Sequence, residues 1–480
     1  MIAPDRRSLL KAAGVGALVG LAPAAASAAV RNRISPLIID IERRAFDYFW
    51  TLGRADNGLV PDRWPTPSFC SIAAVGFALT AYPIGVERGW ISRAQAIDRT
   101  LATLRFFASA PQGPQATDVT GNRGFFYHFI EMKSGLRYRD SELSSVDSTL
   151  LFLGMMFAGQ WYDRPTAREA EIRRLADAIV ERADWRWFQR GRADVSMGWH
   201  PGPGLSEGGE FIERGWTGYN EGKMVVLLAL GARRHPVADG AWQAWCAPYA
   251  DDWRGEGDTR HLAFAPLFGH QYSECWIDFR GIRDPAMRHA GFDYAENARR
   301  ATHANRAYCA ANPMGWDGYS SDIWGLSACD GPGNFAVNRG GVERPVHGYA
   351  ARGPIGQPDG FDDGTIAPTA AVSSIGLAPE IAIPAIDALH RLHGARLYRR
   401  FGFLDSFNPS LRDPSLKLET GSIDSILGWV ASDWLGINQG PMVAMIANHR
   451  QGTVWRQMRR APTIRRGLLR AGFSGGWLSS

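Results

Sequence analysis

Apolar residues return at three- and four-residue intervals through most of this 480-residue chain. That spacing lines one face of a helix. It predicts helices over 38–52, 68–82, 92–108, 141–162, 166–183, 219–234, 285–312, 378–393 and 441–449. Ser92 followed by Gln95 is a capping box at the head of the third. Two-residue alternation is weak throughout, so the expected fold class is all-α. Long segments rich in Gly, Pro and aromatic residues separate the helices, chiefly 191–214, 251–270 and 317–365. Loops of that size in a compact domain are functional or misassigned. Each holds Trp, His or acidic residues, which favours function, and 191–214 is the expected wall of a cleft. No Pro/Ser linker interrupts the pattern, so 29–480 reads as one domain.

Residues 1–28 read as targeting sequence. Asp5-Arg6-Arg7-Ser8-Leu9-Leu10-Lys11 has the form of a twin-arginine leader. An apolar stretch from Ala12 to Leu21 follows, then the cleavage pattern Ala26-Ser27-Ala28. The stretch is short for a bilayer span. The expectation is passage through the twin-arginine export machinery to the periplasm or beyond, with no membrane span after processing; an uncleaved anchor is the alternative. The formal net charge is +5, of which Asp5, Arg6, Arg7 and Lys11 supply +2. Basic and acidic residues are interspersed, without the basic run of a nucleic-acid footprint. The five cysteines are odd in number and none forms C-x-x-C. Buried thiols fit that better than a disulfide framework, though one disulfide has room to form.

The chain has 18 Trp, and Trp64, Trp199, Trp216, Trp316 and Trp324 sit among polar and glycine residues. Indole faces in polar loops suit stacking on sugar C–H faces, and they also suit stapling of loops. Cleaving a glycosidic bond takes two carboxyl groups, which directs attention to three segments. Arg137–Asp147 carries Glu142 and Asp147 before an apolar run; helix capping by Ser141 and dipole compensation by Glu142 compete with a catalytic role. Gly215-Trp216-Thr217-Gly218-Tyr219-Asn220-Glu221-Gly222 sets Glu221 at a helix start, where a plain first-turn glutamate is the rival reading. Phe401–Asn408 holds Asp405, a residue that also caps turns. Asp362-Asp363 and the stretch from Tyr272 to Asp278 read as hydroxyl binders or turn formers. His128, His200, His270 and His347 lack metal spacing, so no metal and no cofactor is expected.

Taken in order, several motifs carry a family resemblance. They are Phe46-Asp47-Tyr48-Phe49-Trp50, Gly124-Phe125-Phe126-Tyr127-His128-Phe129, Glu142–Asp147, Gly215–Glu221 and Phe268-Gly269-His270-Gln271-Tyr272-Ser273. Trp324–Pro332, Asp363–Ala370 and Ile437-Asn438-Gln439-Gly440-Pro441 complete the set. Together they resemble the bacterial glucoamylase-like domain of glycoside hydrolase family 144, the endo-β-1,2-glucanases, over about 36–457. The resemblance implies an (α/α)6 barrel, a glucan in its cleft and hydrolysis of β-1,2-glucan by inversion. It implies a catalytic set of Glu142, Asp147, Glu221 and Asp405, with Glu221 partnered by Glu142 or Asp147. Trp50, His128, Trp216, Tyr219, Asn220, Gln271, Tyr272, Trp324, Asp330 and Asp363 become the expected substrate contacts. Glu274 stands where the family pattern favours His, and Asp330 where it favours Ser. Those departures keep other glucan linkages and retaining transglycosylation open. A non-catalytic glycan-binding protein is the reading from a different class.

Overall fold

The computed structural model describes residues 34–202 and 208–479, so the leader expected over 1–28 lies outside the described residues, as does part of 191–214. The principal helices are α1 (Pro36–Leu52), α2 (Ile72–Glu87), α3 (Arg93–Ser109), α4 (Ser145–Trp161), α5 (Ala167–Glu181), α6 (Gly222–Gly231), α7 (Phe268–Trp276), α8 (Tyr294–Ala311), α9 (Pro368–Ser373), α10 (Pro379–Leu397) and α11 (Gly436–Gln451). They fall into two kinds. Helices α2, α4, α6, α7, α9 and α11 are buried on nearly every side. Helices α1, α3, α5, α8 and α10 bury one stripe and expose the rest. Apolar sequence all round a helix demands this kind of enclosure. Helix α2 packs on α4, α4 on α6, and α11 on α2, α7 and α9, while α1 and α5 lie outside them. Glycine permits the closest approach: a Cβ on Gly76 would stand 2.2 Å from Leu150 O, and one on Gly154 2.1 Å from Gly76 O.

The all-α expectation needs amending. Among the described residues, ladders of two to five residues in nine small sheets tie the loops together. Those that position the site are β1 (Arg63–Trp64), β2 (Cys70–Ser71), β3 (Phe129–Ile130), β4 (Leu143–Ser144), β5 (Gly198–His200), β6 (Ala328–Cys329), β7 (Ala350–Ala351) and β8 (Trp434–Leu435). Strands this short leave no alternation to detect.

Several helix boundaries also differ from expectation, among them the helix expected over 141–162, which starts at Ser145. Cys70 and Ser71 pair with β3, so α2 starts at Ile72 with Ser71 as its cap. The helix expected over 285–312 breaks at Gly291, which adopts φ 87°, and Asp293 caps a new start. Pro441 lies inside α11 rather than at its start. All five cysteines are free thiols. No helix among the described residues is long and apolar enough to cross a membrane.

Candidate active site

The first turns of α2, α4, α6 and α11 are laced to one another and to the loops before them. Ile72 N–H donates to His128 O, and Ser145 N–H to Met197 O. The Trp216 indole, just before α6, donates to the Ser145 hydroxyl at 2.9 Å. Gly436 N–H donates to Asp62 O at 2.7 Å. Helix N-termini favour negative charge, and the carboxylates gather here in two groups.

The first group is built on α4. Ser144 caps the helix by accepting from Asp147 N–H, and its hydroxyl donates to Asp147 Oδ2 at 2.6 Å. His128 stands between the two acids, with Nδ1 2.9 Å from Glu142 Oε1 and Nε2 3.4 Å from Asp147 Oδ1. Burial opposes charge on this imidazole, but Asp147 and Glu142 outweigh it and hold its pKa up at about 9. Burial likewise opposes ionisation of Glu142, yet the His128 contact holds that carboxyl below its ordinary value. Asp147 is pushed up by burial, only partly offset by His128. Glu142 is the more open of the two acids, with 26% of its side chain exposed against 7% for Asp147. One side-chain ligand atom from each of these three residues lies within 4.8 Å of the other two, close enough to surround a cation. An imidazolium between two carboxylates already balances the charge.

Glu221 precedes α6 and is partly buried. Its Oε2 is enclosed and has no hydrogen-bond partner among the described residues. Burial pushes its pKa up to about 7, and the negative charge of Asp147 adds to the rise. Tyr272 belongs to the same neighbourhood, since its phenol senses both Glu221 and Asp147.

The second group surrounds Asp405, which is fully buried. Its Oδ2 accepts from Asp330 N–H and its Oδ1 from Asn438 Nδ2, both at 2.7 Å. Burial first, then the charge of Asp330, pushes Asp405 up to about 7. Arg63 joins this group: its guanidinium meets Asp330 at 2.9 Å, Asp62 at 3.2 Å and Asp433 at 3.8 Å. The β1–β8 ladder sets Arg63 opposite Leu435, and its guanidinium bridges Asp62 and Asp433. Arg63, Asp62 and Asp433 escape the sequence reading, because only pairing between distant segments assembles them.

The structure moves several expected substrate contacts elsewhere. Trp324 is 0% exposed, so it cannot offer a face to a sugar. Gln271 is buried and donates to Ala370 O and Ser374 Oγ, which ties α7 to α9. Asp363 is buried against Arg352 at 2.7 Å. Asn220 spends its amide on Thr217 O and its carbonyl on Gly222 N–H. The Trp50 ring packs on Phe46 and Tyr82 beneath the Arg99 guanidinium. Tyr219 is buried against His270, 3.2 Å from its hydroxyl, and the buried Trp216 braces α4. Asp405 is enclosed in the same way, so it acts on its neighbours and has no surface for a ligand. His128, Tyr272 and Asp330 remain beside the acids. Glu274 is no cleft residue: it pairs with Lys223 at 3.0 Å, and both side chains are almost wholly buried.

Comparison with known proteins supplies independent findings. The Glycoamylase family model, described as "Putative glucoamylase", matches residues 213–462. A curated relative from Parabacteroides distasonis, named exo β-1,2-glucooligosaccharide sophorohydrolase (non-reducing end), is 25% identical over 461 residues. That alignment covers 90% of this chain, which spans only 57% of the relative's length. A Bacteroides uniformis protein of the same glucoamylase description is 28% identical, with a TM-score of 0.76 over 93% of this chain and 99% of that one. The endo-β-1,2-glucanase of Chitinophaga pinensis, solved with sophorotriose and glucose, is similar in fold. Its identity is 23% and its TM-score 0.76, over 93% of this chain and 100% of its own.

Proposed function

The chain belongs to the Glycoamylase family, and from that premise we propose that it is an exported glycoside hydrolase cleaving β-1,2-glucan or its oligosaccharides by inversion. The observation that carries this reading is the enclosed, unpartnered Oε2 of Glu221. A carboxyl with a pKa of about 7 keeps its proton near neutral pH. A general acid must donate that proton to the departing sugar oxygen; Glu221 is partly exposed, and among the described residues nothing holds its Oε2. Glu142, open and held ionised by His128, is the partner that activates water. Asp147 holds His128 from its other nitrogen. Asp405 acts as a support, fixing Asp330 and Asn438 through the hydrogen bonds it accepts from them.

The substrate class follows the sophorohydrolase name of the curated relative. The scaffold is proposed as an (α/α)6 toroid, with α2, α4, α6, α7, α9 and α11 as its inner ring. The contacts of α2 with α4 and α11, and the Gln271 bond between α7 and α9, support that ring. Export rests on the leader-like sequence 1–28. The sequence reason for expecting another linkage at Glu274 falls away, because that residue serves a core ion pair.

The test is incubation of the mature chain with a panel of β-linked glucans. New reducing ends from linear β-1,2-glucan are expected. Turnover of a different linkage removes the substrate assignment, and binding without turnover removes the hydrolase.

A further inference from the structure

Strand β7 pairs antiparallel with β6, setting Ala350 opposite Cys329 and Ala351 opposite Ala328. Continuing that register by one residue sets Tyr349 across from Asp330, whose N–H holds Asp405 at 2.7 Å. The backbone on both sides of Tyr349 is fixed by one buried group. Arg352 donates to His347 O at 2.9 Å, Gly348 O at 3.1 Å and Ala350 O at 3.1 Å, and it is paired to both oxygens of Asp363. These hydrogen bonds to a buried guanidinium tie the loop to the core.

What the anchor presents is an unused aromatic ring. Tyr349 is 53% exposed, with no hydrogen bond and no ring contact among the described residues. Its phenol senses Asp405, Asp62 and Asp330, and Tyr272, beside Glu221 and Asp147, senses Tyr349 in turn. By register the ring therefore stands beside the Asp330 and Asp405 group. Leu392 and Ile426, also large and exposed, have no such place.

We propose that Tyr349 is a substrate-binding residue whose exposed aromatic face packs against a sugar ring of the bound glucan chain. This rests on the reading of the chain as a glucan-binding hydrolase. Arg352 acts through it as a positioning residue. A half-exposed ring covered by a sugar removes enough apolar area from water to change affinity about tenfold.

The experiment compares wild type, Tyr349→Ala, Tyr349→Phe and Tyr349→Trp. Turnover of linear β-1,2-glucooligosaccharides and their binding by calorimetry are measured together, with melting temperature as the check on folding. Tyr349→Ala is expected to raise KM and Kd about tenfold, with kcat within about twofold and melting unchanged. Phe and Trp, which keep a ring, are expected to hold both constants near wild type. If wild type turns over the glucan and Tyr349→Ala leaves KM and Kd unchanged, the role of Tyr349 is overturned while the hydrolase reading stands. If wild type binds without turnover and the Ala variant loses affinity, the hydrolase reading fails and Tyr349 keeps its role. If wild type neither binds nor cleaves any glucan of the panel, both fall.

Discussion

Glu221 and Glu274 are both glutamates that burial pushes to a pKa of about 7, one before α6 and one within α7. Their surroundings differ. Glu274 has Lys223 at 3.0 Å, itself ringed by Tyr219, Phe279 and Tyr294. Glu221 has an enclosed oxygen with no hydrogen-bond partner among the described residues. A raised pKa alone therefore does not separate a structural acid from a working one. The missing partner is what favours Glu221 as the proposed acid, because a buried polar atom left unsatisfied calls for an explanation.

Substitutions separate the two glutamates further. The largest effect is expected at Glu221: Glu221→Gln should cost about 10²–10⁴-fold in kcat, measured on the cleaved glucan, while melting is preserved. Glu274→Gln should do the reverse. It strands Lys223 in the core and should cost about 3–5 kcal/mol in denaturant unfolding. Replacing both Lys223 and Glu274 by Met should recover most of that loss, since a well-packed apolar pair can match a buried ion pair.

A smaller effect concerns pH. As the proposed general acid, Glu221 must be protonated to act, so kcat/KM should fall as pH rises through about 7. The unfolded chain ionises this group near about 4.3. The folded state therefore binds the extra proton, and stability should decline between that value and about 7. Glu221→Gln should flatten its share of the decline, read as melting temperature against pH. The smallest effect is expected at His128. Its charge holds Glu142 down, so His128→Gln should move the acid limb of the rate profile to higher pH. Because its own pKa is raised to about 9, the stability it supplies is complete below about 6.5 and lost as pH rises through about 9.

The sequence made some of this legible and hid the rest for physical reasons. The Ser92–Gln95 capping box is present as read, because capping is a local matter. Glu142, Asp147 and Glu221 were readable as polar ends of apolar helices, and those ends meet. The break at Gly291 was legible in principle, since Gly followed by Asp293 marks a stop and a new cap. Arg63, Asp433 and Tyr349 were not, because their places depend on ladders between distant segments. Nor could the sequence show that Trp324 and Gln271 face inward: their motifs look the same whether they line a cleft or brace it.

The central claim is that Glu221 protonates a leaving sugar while Glu142 activates water on the other side. Time-resolved proton NMR of the anomeric signals during digestion of linear β-1,2-glucan tests it most directly. The account predicts that the α-anomer of the new reducing end appears first. A β-anomer appearing first, or no new reducing end at all, would contradict it.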